Sequence, residues 1–212
     1  MNDIIYILGI GDNSIVTIEL AEQCGYKIGG LYHYKEGRTG ERVYGHEIIG
    51  TFDELFATDI TGMNFALSMG DNDIRADLFK RIKEAGGLVP RLIHPSAVVS
   101  RYSSCDEGVQ LHANSVVDPD VKIGADTVVS DKSTVLHGCR VGAHVFFAPD
   151  AVIGAMTHVD DYAFVGQNAT VISRKAQRLG YHSVVGAAAV VTKPVADFQT
   201  VAGSPAKELK RP

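Results

Sequence analysis

From Ile93 onward the chain repeats in sixes: Ile93, Val99, Cys105, Leu111, Val117, Ile123, Val129, Val135, Val141, Phe147, Ile153, Val159, Val165 and Val171, thirteen of the fourteen being Ile, Val, Leu or Phe. Helical periodicity is absent over this stretch. Four residues after each of these stands a small or β-branched residue, from Ala97, Ser103 and Val109 through Ala163 and Ala169, until Lys175 breaks the series. A hexapeptide with one large and one small apolar residue buries nothing alone. Three of them make the three flat faces of a triangular coil, with the large residue filling the prism and the small one its corner, and such coils stack. With 18 residues per coil and strands about 4.8 Å apart, residues 18 apart in sequence lie one above another. The series resumes two residues out of phase at Leu179, Val185 and Val191, which predicts a short insertion around Arg174 to Arg178.

The first ninety residues follow another rule. Short β-rich runs alternate with amphipathic stretches: Ile4 to Leu8 then Ser14 to Cys24; Ile28 to Tyr32 then a loop; Phe65 to Met69 then Asp73 to Ala85. That rhythm predicts βαβ units on a parallel sheet, whose ligands bind beyond the carboxyl ends of the strands. The expected division is 1–91 and 92–212. A chain of 212 residues with 45% apolar content can bury a real core, which excludes disorder. A net charge of −5, with basic residues clustered only at the C-terminus, gives no footprint for nucleic acid. Asp3 in place of a basic leader, and Gly9 and Gly11 within the first apolar run, argue against a signal peptide or membrane span. The expectation is a cytoplasmic protein with no membrane partner. Cys24, Cys105 and Cys139 lack metal-ligand spacing and are read as reduced packing residues.

Two C-terminal segments complete the picture, Val184-Val185-Gly186-Ala187-Ala188-Ala189-Val190-Val191-Thr192-Lys193 and Val201-Ala202-Gly203-Ser204-Pro205-Ala206-Lys207. With the repeats, they resemble the hexapeptide-repeat acyltransferases. Joined to an N-terminal half that opens Leu8-Gly9-Ile10-Gly11 and contains Met69-Gly70-Asp71-Asn72-Asp73-Ile74-Arg75, the chain is similar to one branch, the nucleotide-sugar acyltransferases that acylate 4-amino-4,6-dideoxy sugars, related to the sialic acid O-acetyltransferases. The resemblance implies a fold class: an α/β, Rossmann-like N-terminal domain with a parallel sheet, then an all-β left-handed parallel β-helix. It also implies a homotrimer with active sites between prisms, acetyl-CoA or a short-chain homologue as co-substrate, and a nucleotide-linked amino sugar as acceptor in surface-glycan assembly.

By this resemblance His137, within Thr134-Val135-Leu136-His137-Gly138-Cys139, is the general base, two residues after an inward valine and so able to point outward. A sugar amine is largely protonated at neutral pH, and an imidazole, with a usual pKa of about 6.5, can accept its proton. The family places Asp or Glu after this histidine where the chain has Gly138, so an orienting carboxylate must come from elsewhere. Asp131 on the preceding face and Asp120 beneath Gly138 are the candidates. Ala155, 18 residues above His137, offers its backbone N–H to the thioester oxygen. Acyl-CoA is expected along Phe146, Ala155, Gln167, Gly186 and Ala187, with Lys207 at a phosphate.

The N-terminal half supplies the acceptor candidates Gly9, Gly11, Asp12, Asn13, Tyr32, Met69, Gly70 and Asn72. The third glycine of a dinucleotide fingerprint falls on Ser14, so NAD is not expected. Leu31-Tyr32-His33-Tyr34 stands where the family has an acidic pair, and is either an aromatic platform for the base or a locally packed loop. His94 and His112, also 18 apart, are expected to stack as a structural pair without metal. His144 is a secondary base candidate. Two rivals remain open at this point: O-acylation of a sugar hydroxyl, and a non-catalytic trimeric ligand-binding module.

Overall fold

A computed structural model describes residues 3–35 and 37–209. The chain divides into two compact units between Leu92 and Ile93.

The first unit runs β1 (Ile4–Leu8), α1 (Ser14–Gln23), β2 (Lys27–His33), β3 (Arg42–Val43), β4 (His46–Thr51), α2 (Phe52–Phe56), β5 (Asn64–Leu67) and α3 (Asn72–Glu84). Its sheet has the order β3-β4-β2-β1-β5. All pairings are parallel except the β3–β4 hairpin. The stretch after β2, read from sequence as a loop, therefore contains a fourth parallel strand. Only Ile48 and Gly50 of β4 are buried, and a glycine as the second buried residue leaves almost no alternation to read. Helix α1 turns Ile18, Leu20 and Ala21 into an apolar cluster with Ile5, Ile7, Leu31 and Ile48, the inside-facing residues of the central strands.

The second unit is a parallel β-helix. Its strands are nearly all two residues long and fall into three sheets of six, five and eight strands. Thr134 pairs with Val116 below and Val152 above, so the coil length is the expected 18 residues. Beyond the predicted insertion, His158 pairs with Arg178, a step of 20 that realigns the stack. In the two-residue strands from Val98–Val99 to Val190–Val191 the first-named residue points away from the prism axis and the second toward it. From Val117 to Val191 the inward residues are 0–6% exposed. Cys105 is 9% exposed and Ile93 37%, because the first coil of this unit has a coil on one side only.

Each face has its own outer chemistry. A valine face presents Val98, Val116, Thr134, Val152, Thr170 and Val190. A phenylalanine face carries Gln110, Val128, Phe146, Phe164 and Val184, of which Gln110 and Val128 are buried. The charged face presents Ser104, Lys122, Arg140, His158 and Arg178.

The corners obey two rules of which the sequence reading caught one. The small residues expected there are buried from Val109 to Ala169, and several bind the backbone: Ser133 Oγ donates to the Ala148 carbonyl at 2.9 Å and Thr157 Oγ1 to that of Gly154 at 2.6 Å. The other rule is conformational. Every sixth residue from Asn114 to Arg174 has positive φ, whether Asp, Lys, His, Met or Tyr, and Gly138 occupies one of these positions with φ +71°. A left-handed backbone costs about 1 kcal/mol or more in most residues, so packing of the coils sustains it. At the far end the chain reverses, and Lys207–Glu208 runs antiparallel along Thr200–Ala202.

Candidate active site

His137 lies at the corner between the valine face and the charged face, and its side chain is exposed. Its carbonyl accepts the Met156 N–H from the coil above, at 3.0 Å. Among the described residues its ring has no hydrogen-bond partner. A side chain at position 138 would collide with the Met156 thioether, and the positive φ there favours glycine. The fold of this corner nevertheless admits an acid, because Asp120, one coil below, also holds a positive φ and the exposed Met156 side chain can move aside.

Neither proposed orienting carboxylate meets His137 within the chain. Asp120 Oδ1 pairs with Arg140 Nη2 at 2.9 Å, across the charged face. Asp131 is half-buried at a different corner, where its charge acts on His112. His112 is 7% exposed, and burial pushes its pKa below the usual histidine value, with Asp131 opposing the shift and His94 adding to it. Among the described residues its Nε2 has no hydrogen-bond partner. A histidine held neutral by the fold but free to protonate when unfolded makes stability pH-dependent. That contribution is complete above about pH 6.5 and is lost as pH falls below it toward the lowered folded value. Denaturant midpoints are expected to fall between pH 7.5 and 5.5, and to fall less in a His112→Gln variant.

Ala155 sits one coil above His137, as expected. Its N–H, however, donates to Ser173 Oγ at 2.9 Å, so a thioester oxygen would have to displace that hydroxyl. Phe146 is half-exposed and stacks on Phe164 with ring centroids 5.5 Å apart. Gln167 and Ala187 are exposed and Gly186 half-buried at the corner between the phenylalanine and valine faces. Lys207 is exposed and has no ion-pair partner among the described residues. His144 is bound through Nδ1 to Asp126 Oδ2 at 2.9 Å, a partner the sequence reading did not identify although the two are 18 apart.

The first unit holds a cavity of about 560 Å³ at the carboxyl ends of β1 and β5. Gly9, Gly11, Asp12, Asn13, Met69 and Gly70 line it, joined by Tyr34, Phe52, Ser68, Asp71, Ile74, Asp77, Leu78 and Arg81. Tyr32 and Asn72 do not line it. Tyr32 packs on Tyr6, centroids 6.1 Å apart, while Tyr34 two residues on reaches the cavity. Phe52 went unread because it follows the unrecognised β4. Gly9 has φ +98°, and a Cβ there would press on Met69 Sδ and Ser68 Oγ at 2.8 and 2.9 Å, so the close approach of these two loops requires glycine. Arg75 is fully buried and its Nη1 donates to the Met69 carbonyl at 3.2 Å, fixing the cavity wall from behind.

Helix ends add a polarity. Helix α2 carries a complete capping box at Thr51 and Glu54, and Asp71 caps α3 by accepting from Asp73 and Ile74. Helix α1, whose N-terminus abuts Gly9 to Asn13, has no side-chain cap. Its first-turn N–H groups and dipole are suited to an anion. Tyr34 stacks on His33 with centroids 4.4 Å apart. His33 Nδ1 accepts the Lys35 N–H at 2.9 Å, and burial and Arg38 push its pKa down. The pair forms a planar shelf at the cavity rim.

No protein-family model matches the chain. Among solved structures it is similar to perosamine N-acetyltransferase PerB from Caulobacter crescentus in complex with CoA and GDP-perosamine, with 29% identity over 97% of both chains and a TM-score of 0.88. Two mutants of that enzyme, with one histidine replaced by alanine or asparagine, each match at 28% identity and a TM-score of 0.90. The acetyltransferase domain of PglB from Neisseria gonorrhoeae, in complex with acetyl coenzyme A, matches at 28% identity over 99% of this chain and 100% of that one, with a TM-score of 0.89.

Proposed function

This chain belongs to the left-handed β-helix nucleotide-sugar N-acyltransferases with an N-terminal α/β domain, and we propose that it transfers acetyl from acetyl-CoA to the 4-amino group of a nucleotide-linked amino-deoxy sugar. The observation that carries this reading is likeness along nearly the whole chain to an enzyme crystallised with both CoA and GDP-perosamine.

In this reading the cavity beyond β1 and β5 takes the nucleotide end of the acceptor. The diphosphate lies at the uncapped N-terminus of α1, and the base against the Tyr34 shelf. His137 takes the amine proton as nitrogen attacks the thioester carbon, so that no covalent acyl-enzyme forms. The Ala155 N–H, exchanged from Ser173, meets the developing oxyanion. Three copies assemble, and His137, exposed at its corner, faces a groove between copies. Phe146, Gln167, Gly186, Ala187 and Lys207 are the acyl-CoA contacts along it.

The test is thiol release from acetyl-CoA with a panel of nucleotide-linked amino sugars, followed by mass spectrometry of the product. An amide on the sugar nitrogen is expected. Acetyl on a sugar hydroxyl would favour the O-acylating rival, and absence of turnover across the panel would overturn the reading. Base–aromatic stacking is worth about 1–3 kcal/mol. Tyr34→Ala is therefore expected to raise KM for the nucleotide sugar about tenfold while kcat stays within about threefold, the signature of lost uniform binding.

A further inference from the structure

The parallel ladder between β1 and β2 ends where the Gly9 N–H donates to the Tyr32 carbonyl at 3.0 Å. One residue further along each chain segment, a side chain takes over from the backbone. The His33 ring is hydrogen-bonded to the Ile10 carbonyl on the β1 side, and its Nδ1 accepts the Lys35 N–H at 2.9 Å on the β2 side. Ile10 and Tyr34 both line the cavity, so one imidazole joins two of its walls. His33 is 2% exposed, and the Tyr34 ring lies on it at an interplanar angle of 24°.

Those two bonds fix the proton of the ring. Nδ1 accepts from Lys35 only while it is unprotonated, so the neutral ring carries its hydrogen on Nε2 and donates it to Ile10. A second proton, on Nδ1, would set two N–H groups against each other and break the Lys35 contact. The surroundings resist that proton. Burial disfavours the imidazolium most, followed by the Arg38 guanidinium, whose Nη1 lies 3.4 Å from Nε2. Lys35 adds to the effect, while the Ile10 carbonyl and Glu41 oppose it. Arg38 is itself held by Glu41 Oε2 at 2.8 Å. On β4, the strand paired beside it, the neighbour of His33 is the uncharged Thr51.

We infer that His33 is the positioning residue of this cavity: as a neutral imidazole it clamps the loop after β1 to the loop after β2 and holds the Tyr34 ring at the rim, and its protonation opens the clamp. The inference rests on the reading of the cavity as the nucleotide site. The clamp acts through Tyr34 and the loop after β1, so it governs acceptor binding. Only the neutral form is competent, and the apparent Kd rises as the neutral fraction falls. The pKa of the ring lies below the usual histidine value of about 6.5. Binding is therefore at full strength above that pH and weakens below it.

The experiment measures equilibrium binding to the full-length protein by calorimetry at pH 7.5 and pH 5.0, with the fold at both checked by circular dichroism. Binding is the readout because turnover also depends on the proton that His137 takes. The probes are GDP-mannose, UDP-glucose and dTDP-glucose, whose diphosphate diesters carry the same charge at both pH values. For the probe that wild type binds most tightly, Kd is expected to rise at least about threefold at the lower pH. His33→Asn offers an oxygen to the Lys35 N–H but does not titrate. His33→Phe keeps a stacked ring and neither bond, and at pH 7.5 it should bind about tenfold more weakly than wild type. In both variants Kd should differ by less than about 1.5-fold between the two pH values. Tyr34→Ala, a change at an exposed residue that leaves the buried ring in place, should lose the pH response to the same extent. A wild-type Kd that is the same at both pH values overturns the clamp, as does a wild-type response that persists in any of the three variants. Failure of all three probes to bind wild type overturns the nucleotide reading of the cavity and this inference with it.

Discussion

Replacing His137 with alanine is expected to lower kcat for acetyl transfer at least 10²-fold, the usual worth of a positioned general base and equivalent to about 2.7 kcal/mol of transition-state stabilisation. The side chain is exposed and makes no hydrogen bond among the described residues, so its removal should leave the fold unchanged. KM for acetyl-CoA and for the nucleotide sugar should stay within a few-fold, because the proton is transferred only as the bond forms. Steady-state kinetics on the purified variant, with unfolding curves to establish equal stability, make the comparison. A rate within threefold of wild type would remove His137 from the mechanism.

Phe147→Ala is expected to destabilise the protein by about 3–5 kcal/mol, through lost burial and the cavity left in the prism. That is a large share of the 5–15 kcal/mol typical of a folded domain. Phe147 is 0% exposed, at the centre of a cluster with Val129 and Val165 in the coils below and above. Its neighbour Phe146 points the other way and is half-exposed. Phe146→Ala should therefore shift the denaturant midpoint far less, and instead raise KM for acetyl-CoA. Midpoints must be compared at one protomer concentration, since assembly of the proposed trimer would contribute to apparent stability. Equal losses from the two alanines would contradict the assignment of inward and outward positions.

The prism was legible because a triangular coil imposes one chemical demand every six residues, and a bulky residue at Val135 or Phe147 satisfies no other period. The left-handed corners were not legible. Asn114, Lys132, Met156 and Tyr162 share a backbone conformation but no side-chain chemistry, since stacking of the coils and not residue preference enforces it. In the first unit the strands at Ile4–Leu8 and Asn64–Leu67 stood out through their apolar runs, while His46–Thr51 shows two charged or titratable residues and a glycine among six. The candidate site was legible where spacing by 18 was applied, as for His137 beneath Ala155. The same arithmetic joins Asp126 to His144 and Ala155 to Ser173. Those pairs went unread because nothing in a single sequence marks which of the many residues 18 apart turn toward each other.

The closing hairpin has a consequence for solubility. A stack of parallel strands ends in a row of unsatisfied amides and carbonyls, a template on which another chain can add and extend into a fibre. Folding Lys207–Glu208 back along Thr200–Ala202 pairs that row on one of the three sheets and substitutes an edge bearing one charge of each sign. Removing the last strand should leave the prism's interior intact and expose its growing end, turning a discrete particle into one that polymerises along its own axis.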